Sequence, residues 1–311
     1  MSGDQGHIPE PEVVYHYTTV DSMIKIVKSA SIWATSINYL NDISERDHYL
    51  GLVQQRIPVL LKSREVADPA VFEKLSASTS LGFEARPFVG SFSRDSDSLP
   101  QWRSYCSNGN GVSIGFRVEC LRRAFVNTDP IRQGNLAVNP KVNFMPIEYL
   151  GADSTEVIDI DIVKAIAAAG VLAKQMNEET GDRYSAADYL RALLERRACL
   201  VKHPSFQNEH EYRLLVDGVF RNLHLLDFRT TRSSLVPYVA VCIPKRHSSV
   251  MQQPVPVTPL SPLAGRWDFV DRVVVGPTAN MSLTIEAVSS FFRREMLYVE
   301  VVPSGVPYRD W

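Results

Sequence analysis

The chain reads as an α+β protein built on a split, mainly antiparallel β-sheet core with a helical insertion. Three observations predict this class. Short strand-like segments alternate with helical ones in an irregular order, without the steady βα repeat that a parallel sheet needs. The stretches richest in reactive side chains fall at strand and helix junctions far apart in sequence, so the strands that carry them must be brought together by long-range pairing. Residues 157–177 and 185–201 keep a helical period with little punctuation except Gly181-Asp182, which marks them as an insertion within 151–201.

Val13 to Tyr17 has strand composition, and Thr19-Val20-Asp21 offers caps for a helix that buries Ile24, Ile26 and Val27 before Ser29 and Ser31. Ile32-Trp33-Ala34 reads as the next strand and Asn38 to Asp42 as a polar turn. Leu50, Val53, Ile57 and Leu60 are spaced for a helix, and residues 66–80 for another. Phe88 to Ser93 alternates bulky and small residues as a strand does. Ser98-Leu99-Pro100 then starts a short helix ending at Tyr105, and a glycine-bearing turn at 108–111 leads into the strand Val112 to Phe116. Glu211 to Val216 is a strand. From residue 218 to 311 the chain is expected to be mainly strand, at Leu223 to Phe228, Tyr238 to Ile243, Phe269 to Val275 and Leu297 to Val302, with Pro254 to Pro259 an extended loop. The expected organisation is one elaborated domain over 1–311, with residues 1–12 a flexible start.

Charge and cysteine usage narrow the partners. A formal charge of -2 supplies no global field for nucleic acid, although Arg191, Arg196, Arg197 and Lys202 form a possible local patch. Cys106, Cys120, Cys199 and Cys242 are scattered without a C-x-x-C pair, which points to reduced thiols rather than disulfides or zinc. The opening residues lack the basic and apolar regions of a signal peptide. The most apolar helical stretch, Ile162 to Ala173, is too short to span a bilayer, so the expectation is a cytoplasmic protein with no membrane partner.

Three stretches look like corners of one pocket: Tyr15 to Thr19, Ser98 to Tyr105, and Glu209 to Arg213. Cleaving nicotinamide from NAD puts positive charge on the ribose, and a carboxylate fixed beside that centre stabilises it. Glu211 is the candidate, with Glu209 on the same face of an extended segment. His16 can hold a ribose hydroxyl, backbone groups of Tyr17 the carboxamide, and Tyr105 can stack on the nicotinamide ring. Thr18, Ser91 and Ser93 would line the cleft, Arg103 would pair with pyrophosphate, and Trp102 is read as packing. Each residue alone has a plainer explanation: solvated acids at a strand edge, a structural histidine, a packed tyrosine. No serine-nucleophile, P-loop or Gly-x-Gly-x-x-Gly signature occurs, so NAD would not be held in the Rossmann manner. Asn41 to Glu45 with Asp47 and His48 is an acidic cluster without the loop spacing of a hard-metal site; a turn and helix cap explain it, and no metal is assigned.

On these segments the chain resembles a bacterial family called domain of unknown function 2971, through Tyr15-His16-Tyr17-Thr18, Tyr39 to Glu45, Gln101 to Tyr105, Gly111 to Phe116, Lys202-His203-Pro204 with Glu209 to Arg213, and Val306 to Arg309. More distantly it is similar to ADP-ribosyltransferases of the histidine, tyrosine, glutamate type. That resemblance implies their sheet type, NAD as substrate, His16 and Tyr105 as NAD-binding and Glu211 as catalytic; many members carry glycine where this chain has Tyr17. The Glu209-x-Glu211 doublet looks like the arginine-modifying branch, in which the first acid helps activate the acceptor. The implied activity is ADP-ribosyl transfer to a protein or nucleic acid, or NAD hydrolysis, in a toxin or phage-defence effector. Two other readings stand beside it: a non-catalytic nucleotide- or nucleic-acid-binding module on the same fold, and a metal enzyme built on Asp42, Glu45, Asp47 and His48.

Overall fold

The computed structural model describes residues 10–40, 44–63, 87–106, 109–127, 140–180, 186–219, 223–231, 234–243, 269–295 and 297–307. The expected flexible start up to residue 9, the helix at 66–80 and the loop at 254–259 lie outside them.

The protein is α+β, with a mostly antiparallel open sheet. Strand β1 (Val13–Thr19) runs straight into helix α1 (Val20–Ser29), because Thr19 accepts the Ser22 backbone N–H through its hydroxyl and caps the first turn. The apolar spacing of Met23, Ile26 and Val27 seats α1 on the sheet. Ala30 then adopts a left-handed conformation (φ 51°), which turns the chain at once into β2 (Ser31–Ser36). After α2 (Ser44–Ser63) come β3 (Phe88–Ser93), the short helix α3 (Leu99–Tyr105) and β4 (Gly111–Arg117). A side chain at Gly111 would meet the Cys106 Cβ at 2.0 Å, so glycine is what lets β4 begin against the end of α3.

Helix α4 (Val118–Leu121) and the short strand β5 (Phe125–Val126) follow, then β6 (Lys141–Pro146) and β7 (Glu148–Tyr149). Two helices occupy most of the described residues of 151–201. Helices α5 (Thr155–Thr180) and α6 (Ala186–Ala198) pack with α2 around Tyr49, Leu52, Ile158, Ile162, Leu190 and Leu194, an apolar cluster separate from the sheet core. The second helix stops at Ala198, short of the expected 201, because Val201–Lys202 forms strand β8, which pairs parallel with β7.

The remaining strands are β9 (Glu211–Asp217), β10 (Leu226–Thr230), β11 (Leu235–Cys242), β12 (Val270–Val275) and β13 (Glu300–Pro303). Beyond residue 218 the described residues are not all strand and loop. Helix α7 (Met281–Arg294) occupies part of them, its Met281, Ile285, Val288 and Phe292 falling on one helical face against the core.

The main sheet has the order β10-β11-β2-β3-β1-β4-β12-β13, with β9 beside β3 and β6 beside β9; its β12–β13 pair is parallel. One strand carries the branch. Strand β9 pairs with β3 along the whole of Phe88–Ser93, whereas the opposite edge of β3 is shared: β2 takes Phe88 and Val89, and β1 takes Ser93. Thus β1-β4-β12-β13 and β2-β11-β10 part from each other along β3. The core lies between this sheet and helices α1 and α7.

Candidate functional site

The parting of β1 from β2 leaves Gly90, Ser91 and Phe92 without a strand partner on that edge among the described residues. A buried carbonyl in such a gap needs a donor. His16 supplies it, its Nδ1 lying 2.9 Å from the Ser91 carbonyl oxygen. Because a carbonyl only accepts, Nδ1 carries the proton; burial lowers the pKa of the ring, so it is neutral at pH 7 and Nε2 remains as an acceptor. A cleft of about 680 Å³ opens through this gap. Tyr15 and Tyr17 pack toward α3 while Val14 faces the core under α1, yet residues from both helices border the cleft, so it passes between the halves of the sheet.

Alternation along the strands sets His16 on the Val14 and Phe92 face of the sheet and Glu211, next to core-facing Tyr212 and Leu214, on the other face, where the start of β9 lines the cleft. Glu211, 5 % exposed, receives Arg213 Nε at 2.7 Å and Nη2 at 3.2 Å, and Lys202 Nζ at 2.7 Å. Lys202 Nζ also reaches Glu209 at 2.5 Å, and Arg213 Nη1 donates to the Cys199 carbonyl at 2.8 Å. Among the described residues two cations and two carboxylates therefore form one compact cluster, in which Glu211, Arg213 and Lys202 are buried and Glu209 is partly exposed. Burial alone would raise the Glu211 pKa, but Arg213 and then Lys202 override it and hold the carboxyl down at about 2, so it is ionised at neutral pH.

The two acids meet differently from the expected extended segment. Pro204–Glu209 is a 3-10 turn, and His210 has a left-handed backbone (φ 43°) that redirects the chain into β9. The turn is tied to the end of β3: Ser93 Oγ donates to the Glu209 carbonyl at 2.7 Å, Arg94 N donates to that of His210, and His210 Nδ1 lies 2.9 Å from Asp95 Oδ2. Tyr149 completes the corner, its hydroxyl accepting the Glu211 backbone N–H at 2.9 Å.

Helix α3 forms the third wall with Gln101, Ser104 and Tyr105, one face at spacings of three and four. Tyr105 is 41 % exposed; burial of the group first, then the nearby Glu211 charge, push its hydroxyl up to about 12, so it stays protonated. Asp97 holds the helix start, accepting from Trp102 Nε1 at 2.7 Å, Ser304 Oγ at 2.5 Å and Gly305 N at 2.7 Å. Trp102 is buried packing, edge-on to Tyr17. The Tyr17 hydroxyl donates to the Asp95 carbonyl and accepts from Ser98 N, so this side chain is a strut between β1 and the start of α3.

His16, Tyr17, Thr18, Ser91, Ser93, Tyr105, Glu209 and Glu211 all border the one cleft. Arg103 does not; it is exposed on another face of α3. Among the described residues the cations that border it are Arg213, from the expected Glu209 to Arg213 corner, and Lys25, Lys202 and Arg229, which no local sequence signal joins to the site. Three of the four residues of the suspected basic patch are paired with acids: Arg196 with Asp217, Arg197 with Asp161 and Glu148, Lys202 with Glu209 and Glu211.

Residues 101–214 match the model of a family described as protein of unknown function (DUF2971). The match covers just over a third of the chain, from α3 to β9, and so holds Tyr105, Lys202, Glu209, Glu211 and Arg213 but not His16. No curated protein and no solved structure is similar enough to add to it. The family therefore supplies no chemistry, and what the site can do follows from its own groups: an aromatic ring at the rim, a neutral histidine acceptor and a fixed, ionised carboxylate around one cleft. His48, from the acidic stretch after Tyr39, is bonded through Nε2 to the Leu150 carbonyl at 2.8 Å; Asn41, Asp42 and Ile43 lie outside the described residues. Among the described residues no helix is long and apolar enough to cross a membrane. Cys106, Cys120 and Cys199 are buried free thiols, whereas Cys242 is partly exposed.

Proposed function

We propose that the cleft binds NAD and that the protein acts as an ADP-ribosyltransferase or NAD glycohydrolase, on a sheet of ADP-ribosyltransferase type. The supporting observation is that His16, Tyr105 and Glu211, from three distant stretches of the chain, border one cleft at the parting of the sheet. In this reading Tyr105 contacts the nicotinamide ring and His16 Nε2 accepts from a ribose hydroxyl. The Glu211 carboxylate, oriented by Arg213 and Lys202, faces the ribose carbon as the glycosidic bond lengthens. Glu209 receives a proton from an acceptor when one is present. A toxin or defence role is the biological setting that the resemblance implies.

The test is mass spectrometry of nicotinamide and ADP-ribose after incubating the folded chain with NAD. Release that falls roughly a hundred- to a thousandfold in Glu211→Gln supports the reading. Glu209→Gln should cost less for hydrolysis than for transfer.

One observation favours a second reading. The charge of Glu211 is already matched by Arg213 and Lys202, which weakens the field it can apply to an oxocarbenium ion. A non-catalytic nucleotide-binding module gives a ligand-induced rise in melting temperature with no product.

A further inference from the structure

The cleft continues well past the residues discussed so far. Beyond β3 it borders Trp33 and Thr35 of β2, Lys25 of α1 and Arg229 of β10. Strand registers explain why these meet: Thr35 lies opposite Tyr238, and Val236, two residues before Tyr238, lies opposite Arg229, so their side chains share one face of β2-β11-β10. The Trp33 indole is stacked on Tyr238 with ring centroids 4.4 Å apart, which fixes it as part of the wall. Arg229 Nη2 donates to the Thr35 hydroxyl at 3.2 Å, and Lys25 Nζ lies 5.9 Å from the Trp33 ring. Two carboxylates are also near: Asp21, paired with Lys25 at 2.7 Å but 70 % exposed, and Asp227, which accepts from the Tyr238 hydroxyl at 2.7 Å. Both have a partner of their own, and neither borders the cleft.

From β9, which carries Glu211 and Arg213, to β10, which carries Arg229, the order is β9-β3-β2-β11-β10. Four inter-strand steps are about 19 Å. One nucleotide does not bridge that span; two nucleotides joined through a pyrophosphate do. The two ends also differ in chemistry, a cluster of paired cations and carboxylates at one and two more exposed cations beside an aromatic wall at the other.

We infer that the Trp33–Arg229 end of the cleft is a subsite for an adenosine diphosphate group, with adenine against Trp33 and phosphate oxygens on Arg229 and Lys25. This rests on the NAD reading for the other end only, because the subsite would also hold free ADP. Arg229's planar fork suits phosphate oxygens, and Thr35 holds one of its nitrogens in position.

The test is calorimetric titration of the full chain, and of Arg229→Gln and Trp33→Ala, with ADP and separately with nicotinamide mononucleotide. Circular dichroism melts establish that the variants are folded. ADP is expected to bind wild type and to weaken at least tenfold in each variant, while nicotinamide mononucleotide affinity changes less than twofold. ADP affinity equal in wild type and both folded variants overturns the subsite, as does a wild type that binds no ADP. NAD binding that persists with ADP insensitive to Arg229 sinks the subsite and leaves the NAD reading standing. ADP sensitive to Arg229, with no affinity for nicotinamide mononucleotide or turnover of NAD, does the reverse.

Discussion

Replacing Glu211 by glutamine tests the ion cluster on which every reading of the site depends. In the native protein this carboxylate is buried, contacts Arg213 through two nitrogens and shares Lys202 with Glu209. Glutamine keeps the shape but removes a unit of negative charge from beside the fork of Arg213, which is 1 % exposed. The pKa gives a magnitude. Burial opposes ionisation, yet Arg213 and Lys202 bring the carboxyl from its ordinary 4.5 to about 2. At ~1.4 kcal/mol per unit, that is about 3 kcal/mol of stability at pH 7, similar to the cost of breaking a buried pair.

The sign follows from the direction of the shift. A carboxyl with a depressed folded pKa stabilises fully above its unfolded pKa and loses that contribution as pH falls toward the folded value. Urea denaturation at pH 7 should therefore give a midpoint lower by about 1 M in Glu211→Gln, for a slope near ~3 kcal/mol/M. The gap to wild type should shrink to about 1–1.5 kcal/mol at pH 3, because acid progressively makes wild type resemble the variant. A gap below about 1 kcal/mol at pH 7, or one that stays constant down to pH 3, would refute the reasoning. Activity of this variant must be compared where it is folded.

Tyr105→Ala and His16→Ala should each weaken NAD about ten- to a hundredfold by calorimetry, and unchanged affinity in both folded variants assigns them to packing. Asp97→Ala removes the acceptor for Trp102, Ser304 and Gly305, so a loss of about 2–4 kcal/mol is expected in urea, and a loss under ~1 kcal/mol means the latch does not hold α3. Ala30→Gly relieves a left-handed alanine between α1 and β2 and should stabilise by up to about 1 kcal/mol; a lower melting temperature would show that its buried methyl outweighs the strain.

The parts legible in the sequence were those written in local signals. Thr19 as a cap, the alternation of Phe88 to Ser93, the proline-started helix to Tyr105 and the strand from Glu211 all depend on neighbours within a few residues. The 3-10 turn before Glu211 was missed because the left-handed backbone at His210 has no glycine or asparagine to announce it. Lys202 was read as part of a basic patch because its two carboxylates lie seven and nine residues later, across a turn. Arg229 and Trp33 are nearly two hundred residues apart, and only the register of β2, β11 and β10 brings them together. Strand β6, with its mixed run Lys141–Pro146, gains its pairing among the described residues from β9.

The parting of the sheet and the ion cluster belong to one arrangement. A sheet that divides along β3 removes ladder partners from Ser91, and His16 replaces one of them with a side chain. That replacement leaves a slot in place of a continuous hydrogen-bonded surface. Strand β3 itself carries both halves, β2 on Phe88 and Val89 and β1 on Ser93, and its other edge is braced by β9 paired over all six residues of the strand. The ion cluster sits at the first residues of that strand, and Ser93 ties the preceding turn to β3. Ser93 is both the residue of β3 that β1 pairs with and the one that pairs with Glu211, so a ligand bound against His16 and one bound against Glu211 act on the same joint. The physical consequence is that occupancy of the cleft should stiffen the start of β9, and amide exchange at residues 211–213 reports it directly.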